Sequence, residues 1–329
     1  FLDMNIDRYR STMHEVMELI KSSDHFLLIA HKKPDGDTAG SITAMANVLE
    51  GWNKKFVAYC KDLPDHHFQF LPLVEKITND AGVVNAQEPY QIVVVFDSGD
   101  LGYAGADALV ASLEPRPFII NIDHHHTNTQ YGDLNLVIDT AASTTEVVAT
   151  MFQAEKIEIT KEIATCLMTG LVTDTGSFTN PATSVSAMET AASLVERGAK
   201  YKTILRELVA NRTLSSMKLW AEVFNRLRVV EPWGFAVTVI TMEDQKTFGV
   251  DEEQTEGIAN FLNSLTGVKA IMVLKELPNG LVKASLRTTR DDVDVSLFAR
   301  CFGGGGHKKA AGFTVPGRLQ QIERTWKVI

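Results

Sequence analysis

The feature that most constrains this chain is a set of short apolar runs, each ending in carboxylates or histidines. Phe26-Leu27-Leu28-Ile29-Ala30 leads into His31, Ile92 to Phe96 leads into Asp97, and Phe118 to Ile122 leads into Asp123-His124-His125. A short continuous apolar run is the pattern of a strand covered on both faces. Such strands belong to parallel sheets with helices on each side, because a parallel crossover needs a helix-length connection. Helical patterns stand before, between and after these runs, over 6–21, 38–52, 143–156, 161–172 and 186–198, with a further strand from Lys55 to Tyr59. The expected fold class is α/β with a mostly parallel sheet.

The pattern changes after about residue 200, in the way a change of domain does. Residues 202–228 read as a long helical connection. Phe235 to Ile240, Ala270 to Lys275 and Leu281 to Leu286 then read as strands, with helices over 251–265 and 294–302. Leu277-Pro278-Asn279-Gly280 is a hairpin turn signal. The expected division is a larger α/β domain over 1–185, a helical linker over 186–228 and a smaller α/β domain over 229–329.

Bulk properties narrow the function class. At 329 residues, 45% hydrophobic and 22% charged, the chain can build cores without staples. Cys60, Cys166 and Cys301 form no metal-type pair and no disulfide framework, which points to a reducing, cytoplasmic setting. No apolar run reaches the ~18 residues of a membrane span, and no leader pattern is visible, so no membrane partner is expected. A net charge of −9 argues against a nonspecific grip on long duplex DNA. Any nucleic-acid substrate should be short and held in a local pocket. A homodimer is compatible with the sequence.

The chemistry is carried by five segments. His31-Lys-Lys-Pro-Asp35-Gly-Asp37 follows a buried strand, where ligands of open parallel sheets gather. Pro34 and Gly36 allow a tight turn, so the imidazole and two carboxylates can converge. Groups of that kind repel unless a cation joins them; the plain alternative is a polar turn capping a helix. Asp97, in Asp97-Ser-Gly-Asp100, also closes an apolar strand and on its own could be a turn former. Asp123-His124-His125-His126-Thr-Asn128 places adjacent histidines beside a carboxylate, the usual partner that fixes a ligand tautomer. Asp174 closes an apolar helix, where a carboxylate faces the negative end of the dipole, a local conflict that a cation would resolve. Lastly, Gly303-Gly304-Gly305-Gly306-His307-Lys-Lys could bring backbone N–H groups close to an anion. Arg287, at the end of a neighbouring strand, is a candidate fork for phosphate or a surface ion pair. Asp65-His66-His67 repeats the letters of the third segment but follows a turn rather than a strand, and is expected to be a surface loop.

These segments, in this order, resemble the motifs of the DHH phosphoesterases. The glycine run resembles the signature of the DHH-associated C-terminal domain, so the likeness covers nearly the whole chain. It is nearest the nano-RNase and pAp phosphatase subgroup, which also includes cyclic di-AMP phosphodiesterases. The resemblance implies a binuclear site, usually manganese with magnesium as the alternative, held by His31, Asp35, Asp37, Asp97, His124 and Asp174, with Asp97 bridging. It implies that Asp123 orients a histidine and that His125 sits beside the phosphate. Arg287, the glycines and His307 would hold the far end of the substrate, and His126 has no implied role. The expected activity is hydrolysis of short RNA and of 3′-phosphoadenosine 5′-phosphate (pAp), with an oligoribonuclease or exonuclease character. Cyclic di-AMP or linear dinucleotide cleavage is the alternative. Inorganic pyrophosphatase, a longer single-strand exonuclease and a non-catalytic nucleotide-binding regulator stand further off.

Overall fold

The computed structural model describes residues 6–87, 89–210, 213–251, 253–255, 257–323 and 325–329. The chain divides into two compact units, Phe1–Ala210 and Asn211–Ile329.

The first unit is built on six parallel strands: β1 (His25–Ala30), β2 (Lys55–Cys60), β3 (Ile77–Thr78), β4 (Ile92–Phe96), β5 (Phe118–Asp123) and β6 (Leu134–Val137). Their order is β3-β2-β1-β4-β5-β6. The chain winds outward from β1 in one direction and then returns to wind from β4 in the other. β1 and β4 therefore flank a topological switch point, the place where doubly wound sheets open a ligand crevice. The three apolar runs are the three central strands, and each is buried on both faces. Phe26, Leu28 and Ala30 face a core shared with helices Gly36–Gly51, Thr144–Ala154 and Lys161–Asp174, whereas Leu27 and Ile29 face a second core with Val93, Val95 and Tyr90.

Helix Gly36–Gly51 is buried almost all round, because it lies between the sheet and helix Lys161–Asp174. Small residues let these two helices approach. A Cβ on Gly40 would fall 2.4 Å from the Cys166 carbonyl oxygen, and one on Gly36 would fall 2.4 Å from the Thr173 methyl. Gly36 therefore serves the helix contact; the left-handed residue in the preceding turn is Lys33, at φ +55°.

The second unit holds a mixed sheet of β7 (Arg228–Val230), β8 (Phe235–Ile240), β9 (Ala270–Leu277), β10 (Leu281–Arg287), β11 (Gly305–Gly306) and β12 (Ala310–Pro316), ordered β11-β12-β10-β9-β8-β7. Only β8 and β9 run parallel among these pairs. A hairpin of β13 (Leu319–Ile322) and β14 (Thr325–Val328) stands apart from it. The β9–β10 connection turns at Gly280, φ +73°, as the Pro-Asn-Gly signal predicts.

Two helical expectations change. The stretch 202–228 is not continuous: Tyr201–Leu205 passes into a π-helical turn, Arg206–Ala210, and a new helix, Leu214–Asn225, starts from its own N-cap Thr213. Asn211 and Arg212 lie outside the described residues. The expected linker is thus shared between the units, with helix Val185–Glu196 in the first and Leu214–Asn225 in the second. The stretch 251–265 resolves into a 3-10 turn, Glu253–Thr255, and a short helix, Ile258–Leu262, that starts from Gly257 at φ +85°. Glu252 and Glu256 of that stretch lie outside the described residues. Among the described residues no helix is long and apolar enough to cross a membrane.

Candidate metal centre

The carboxyl ends of β1, β4 and β5 deliver the first unit's polar residues to one place. His31 follows β1, Asp97 follows β4, and Asp123 ends β5 with His124 and His125 behind it. Helix Gly36–Gly51 contributes Asp35 as its N-cap and Asp37 in its first turn, and helix Lys161–Asp174 contributes its last residue, Asp174. Ligand atoms of His31, Asp35 and Asp97 lie within 4.8 Å of one another. The same is true of Asp37, His124 and Asp174, and of Asp97, His124 and His125. Asp97 belongs to two of these groups, as does His124. Asp97 adopts φ +56°, a left-handed conformation that a non-glycine residue holds only when its surroundings impose it.

The two imidazoles have defined orientations. His31 Nδ1 is 2.7 Å from the Lys32 carbonyl oxygen, and His124 Nδ1 is 3.3 Å from that of Ala141. A carbonyl only accepts, so each Nδ1 carries the hydrogen and each Nε2 is left to face the cluster. His31 Nε2 lies 3.3 Å from Asp97 Oδ2. His124 Nε2 lies 3.4 Å from Asp174 Oδ2, 3.7 Å from Asp97 Oδ1 and 3.9 Å from Asp37 Oδ2. A ring lone pair aimed at carboxylates is repulsive unless a proton or a cation lies between them.

The carboxylates are fixed by donors that sequence reasoning passed over. Asp37, fully buried, accepts from the Thr144 and Thr145 amides at 2.6 and 2.8 Å. These are free N–H groups of the first turn of helix Thr144–Ala154, where the dipole favours an anion. Asp97 accepts from the Thr38 hydroxyl at 2.6 Å and the Thr144 hydroxyl at 3.0 Å. Behind the centre, Asp123 Oδ1 accepts from His125 Nδ1 at 2.8 Å and from the His124 amide at 2.7 Å, while its Oδ2 accepts from Asn128 at 2.6 Å. The only sequence signal for the threonines is Ser143-Thr-Thr-Glu146, which has the S-x-x-E spacing of a helix start.

The electrostatics show the strain of gathering these groups. Burial, then the charges of Asp97 and Asp35, pushes Asp37 well above its ordinary value. Burial, then Asp37, Asp35 and Asp97, does the same to Asp174. Asp35 is raised by burial and by Asp97. For Asp97, burial is outweighed by the hydrogen bond from His31 and the surrounding histidines, which hold it below the ordinary range. Burial works against protonation of His31 and His125, yet hydrogen bonds and carboxylate charges raise both to about 9. Every one of these shifts except that of Asp97 favours protonation, the response of like charges packed together. Four carboxylates and two imidazoles with no thiolate form a donor set suited to hard or borderline divalent cations.

The second unit holds the remaining expected residues at one end of its sheet. Arg287 ends β10 opposite Ala310 of β12, and Ala310 pairs with His307 across a tight turn, with N···O distances of 2.7 and 3.2 Å. The Arg287 guanidinium donates to Asn260 Oδ1 and to the Leu286 carbonyl, both at 2.9 Å. Among the described residues no carboxylate pairs with it, and burial lowers its pKa. The glycines have a backbone duty. Gly303 and Gly304 donate to the Arg300 and Ala299 carbonyls and close helix Val295–Arg300. A Cβ on Gly304 would fall 2.2 Å from the Gly312 oxygen. The amides of Gly303, Gly304 and His307 are engaged inside the fold and Gly305–Gly306 form β11 against β12, so the glycines are largely committed to backbone pairing rather than to an open row of amides.

Comparison with known proteins places this geometry in context. Residues 25–171 match the DHH family, N-terminal domain, and residues 234–329 match the DHHA1 domain. A Thermus thermophilus protein named bifunctional oligoribonuclease and PAP phosphatase NrnA is 31% identical, over 94% of this chain and 90% of that one. A Geobacillus thermodenitrificans cyclic-di-AMP phosphodiesterase, GdpP, is 25% identical over 91% of this chain but only 46% of its own length. An exopolyphosphatase-related protein from Bacteroides fragilis superposes with a TM-score of 0.84 at 23% identity, covering 92% of this chain and 91% of that one, which speaks to the fold.

Proposed function

Because this chain belongs to the DHH family, with a DHHA1 domain following the DHH domain, we propose that it is a metal-dependent phosphoesterase of short nucleotides, acting on RNA oligonucleotides of a few residues and on pAp. The observation that carries the chemistry is the pair of ring Nε2 atoms, on His31 and His124, aimed at the carboxylates of Asp97 and Asp174. We assign His31, Asp35, Asp37, Asp97, His124 and Asp174 as ligands of two divalent cations, Mn²⁺ with Mg²⁺ as the alternative, and Asp97 as the residue shared between them. Bound there, such ions supply an activated water and positive charge against the phosphoryl oxygens.

The remaining roles belong to the protein's own groups. Asp123 holds the His125 ring by Nδ1, and the ring's Nε2 is assigned to donate a proton or a hydrogen bond toward a phosphate oxygen. The same pairing keeps the ring protonated to high pH. Arg287, a cation without a carboxylate partner among the described residues, is assigned to a substrate phosphate or base, together with the His307 side chain, and the glycines Gly303, Gly304, Gly305 and Gly306 shape the backbone beside them. The substrate class follows the relative that spans the whole chain. The cyclic-dinucleotide reading follows one that is matched over less than half its length.

The test is a substrate panel of pApA, pAp, longer RNA, cyclic di-AMP and pyrophosphate, each with Mn²⁺ and with a chelator. AMP release from pApA and pAp that the chelator abolishes is expected. Absence of AMP from pApA would sink the assignment.

A further inference from the structure

We propose that Glu146 is a positioning residue of the metal centre, acting on His124 through the peptide that joins Ala141 to Ala142. The inference rests on the reading above that His124 is a ligand.

Glu146 is fully buried and stands three residues after the N-cap Ser143 of helix Thr144–Ala154. In an ordinary capping box, an acid at that position accepts from the N-cap's own amide. Glu146 reaches one residue further, and its Oε2 accepts from the Ala142 amide at 2.6 Å. Its Oε1 accepts from the hydroxyl of Ser186, in helix Val185–Glu196. Among the described residues no lysine or arginine contributes to its environment; burial, the largest influence, raises its pKa. A buried carboxyl without a cationic partner is costly, so the bonds it makes carry the reason for its presence.

The Ala142 N–H and the Ala141 C=O belong to one planar peptide unit and point in opposite directions. Fixing the N–H therefore fixes the carbonyl. That carbonyl is the acceptor 3.3 Å from His124 Nδ1, the contact that leaves Nε2 bare toward Asp174 and Asp97. The arrangement is a carboxylate–peptide–imidazole relay, in which each hydrogen bond polarises the next. Outer partners of this type set ligand orientation and basicity. The same helix start also grips Asp37 through the Thr144 and Thr145 amides and Asp97 through the Thr144 hydroxyl. Glu146 thus ties the segment that steadies three of the assigned ligands.

A purely structural role would have Glu146 dock helix Val185–Glu196 through Ser186 and nothing more. Three variants of the full chain separate the two: E146A, E146Q and S186A. The readouts are Mn²⁺ affinity by titration and, in the metal-free protein, the ¹⁵N shifts of the His124 ring. E146A should weaken Mn²⁺ by about 10–100-fold, the usual effect of losing an outer partner, and should erase the preference for the Nδ1–H tautomer. In E146Q the amide oxygen still accepts from Ala142 and the amide nitrogen can donate to Ser186, so affinity should stay within about threefold of wild type. S186A should lower Tm yet leave His124 as in wild type. Unchanged affinity and ring shifts in E146A overturn the proposal, as does an S186A variant that perturbs His124 as much as E146A. If E146A does not fold, Glu146→Met, which fills the space with no strong acceptor, is read by the same criteria. If that variant also fails to fold, a wild-type His124 ring with no proton on Nδ1 overturns the proposal, and one with Nδ1 protonated, E146Q retaining it, supports it. Failure of wild type to bind Mn²⁺ would remove the metal reading, while the ring shifts of E146A against wild type would still decide the relay.

Discussion

Asp123-His124-His125 and Asp65-His66-His67 spell the same three residues and do opposite things. Asp123 is fully buried at the end of a central strand and accepts hydrogen bonds from both histidines that follow it. Asp65 caps a 3-10 turn, His66–Phe68, by accepting from the His67 amide at 2.9 Å. His66 is exposed and lies 2.9 Å from Asp65 through Nδ1, at the surface. Around the first triplet stand Asp37, Asp97 and Asp174, brought in by other elements. The second forms a group from its own three adjacent side chains. A ligand site is therefore made by convergence from distant parts of the chain, and adjacency of letters contributes little.

The most forceful way to break this comparison is to remove the carboxylate that the two halves of the centre share. Asp97→Ala should lower turnover of pApA by at least about a thousandfold, the scale of an essential group in metal-assisted hydrolysis, with an unchanged circular-dichroism spectrum, while Asp65→Ala should keep it. Turnover in Asp97→Ala at the wild-type rate would remove its bridging role. A smaller effect is expected from Asp123→Asn. Its amide could replace one accepting oxygen but would set a second donor against Asn128 Nδ2 or His125, so kcat should fall about 10–100-fold. Asp65→Asn, an N-cap of equal quality, should be silent in the same assay. The smallest effect is a pH dependence. His125 is raised from 6.5 to about 9 in the folded, metal-free chain. A raised histidine stabilises fully below its unfolded value, and that stabilisation is lost as pH rises through its folded value. Chelator-treated protein should accordingly melt at lower temperature at pH 10 than at pH 6.5, by about 2–4 °C for each kcal/mol lost in a unit of this size. His125→Gln should make that slope shallower and leave the part due to His31, which is raised to about 9 as well, and an equal slope in the variant would show that other groups cause it.

Much of the first unit was legible, for a physical reason. Strands buried on both faces must be apolar throughout, so β1, β4 and β5 announce themselves, and the residues just past them lie at the crevice. The outer strands were harder. β3 is only two residues long, and β6, at the sheet edge, alternates Leu-Asn-Leu-Val with partial exposure. The threonines and Glu146 were illegible as site residues because their work is done by backbone amides and a turn, and any helix start could carry the same letters. The breaks after Leu205, near the end of the first unit, and at Gly257, in the second, follow local backbone choices that a helical spacing of apolar residues does not report.

Gly170 lies in the middle of helix Lys161–Asp174, and a Cβ there would sit 2.5 Å from Asp37 Oδ1 and 2.4 Å from Thr145 Oγ1. The volume of the missing methyl is taken up by the carboxylate of the neighbouring helix and the hydroxyl that lies beside it. For protein engineering, this makes the centre non-modular. Transplanting its ligands alone onto another α/β scaffold would leave Asp37 without its seat. The transferable unit is the pair of helices, docked across bare backbone, with the start of Thr144–Ala154 attached.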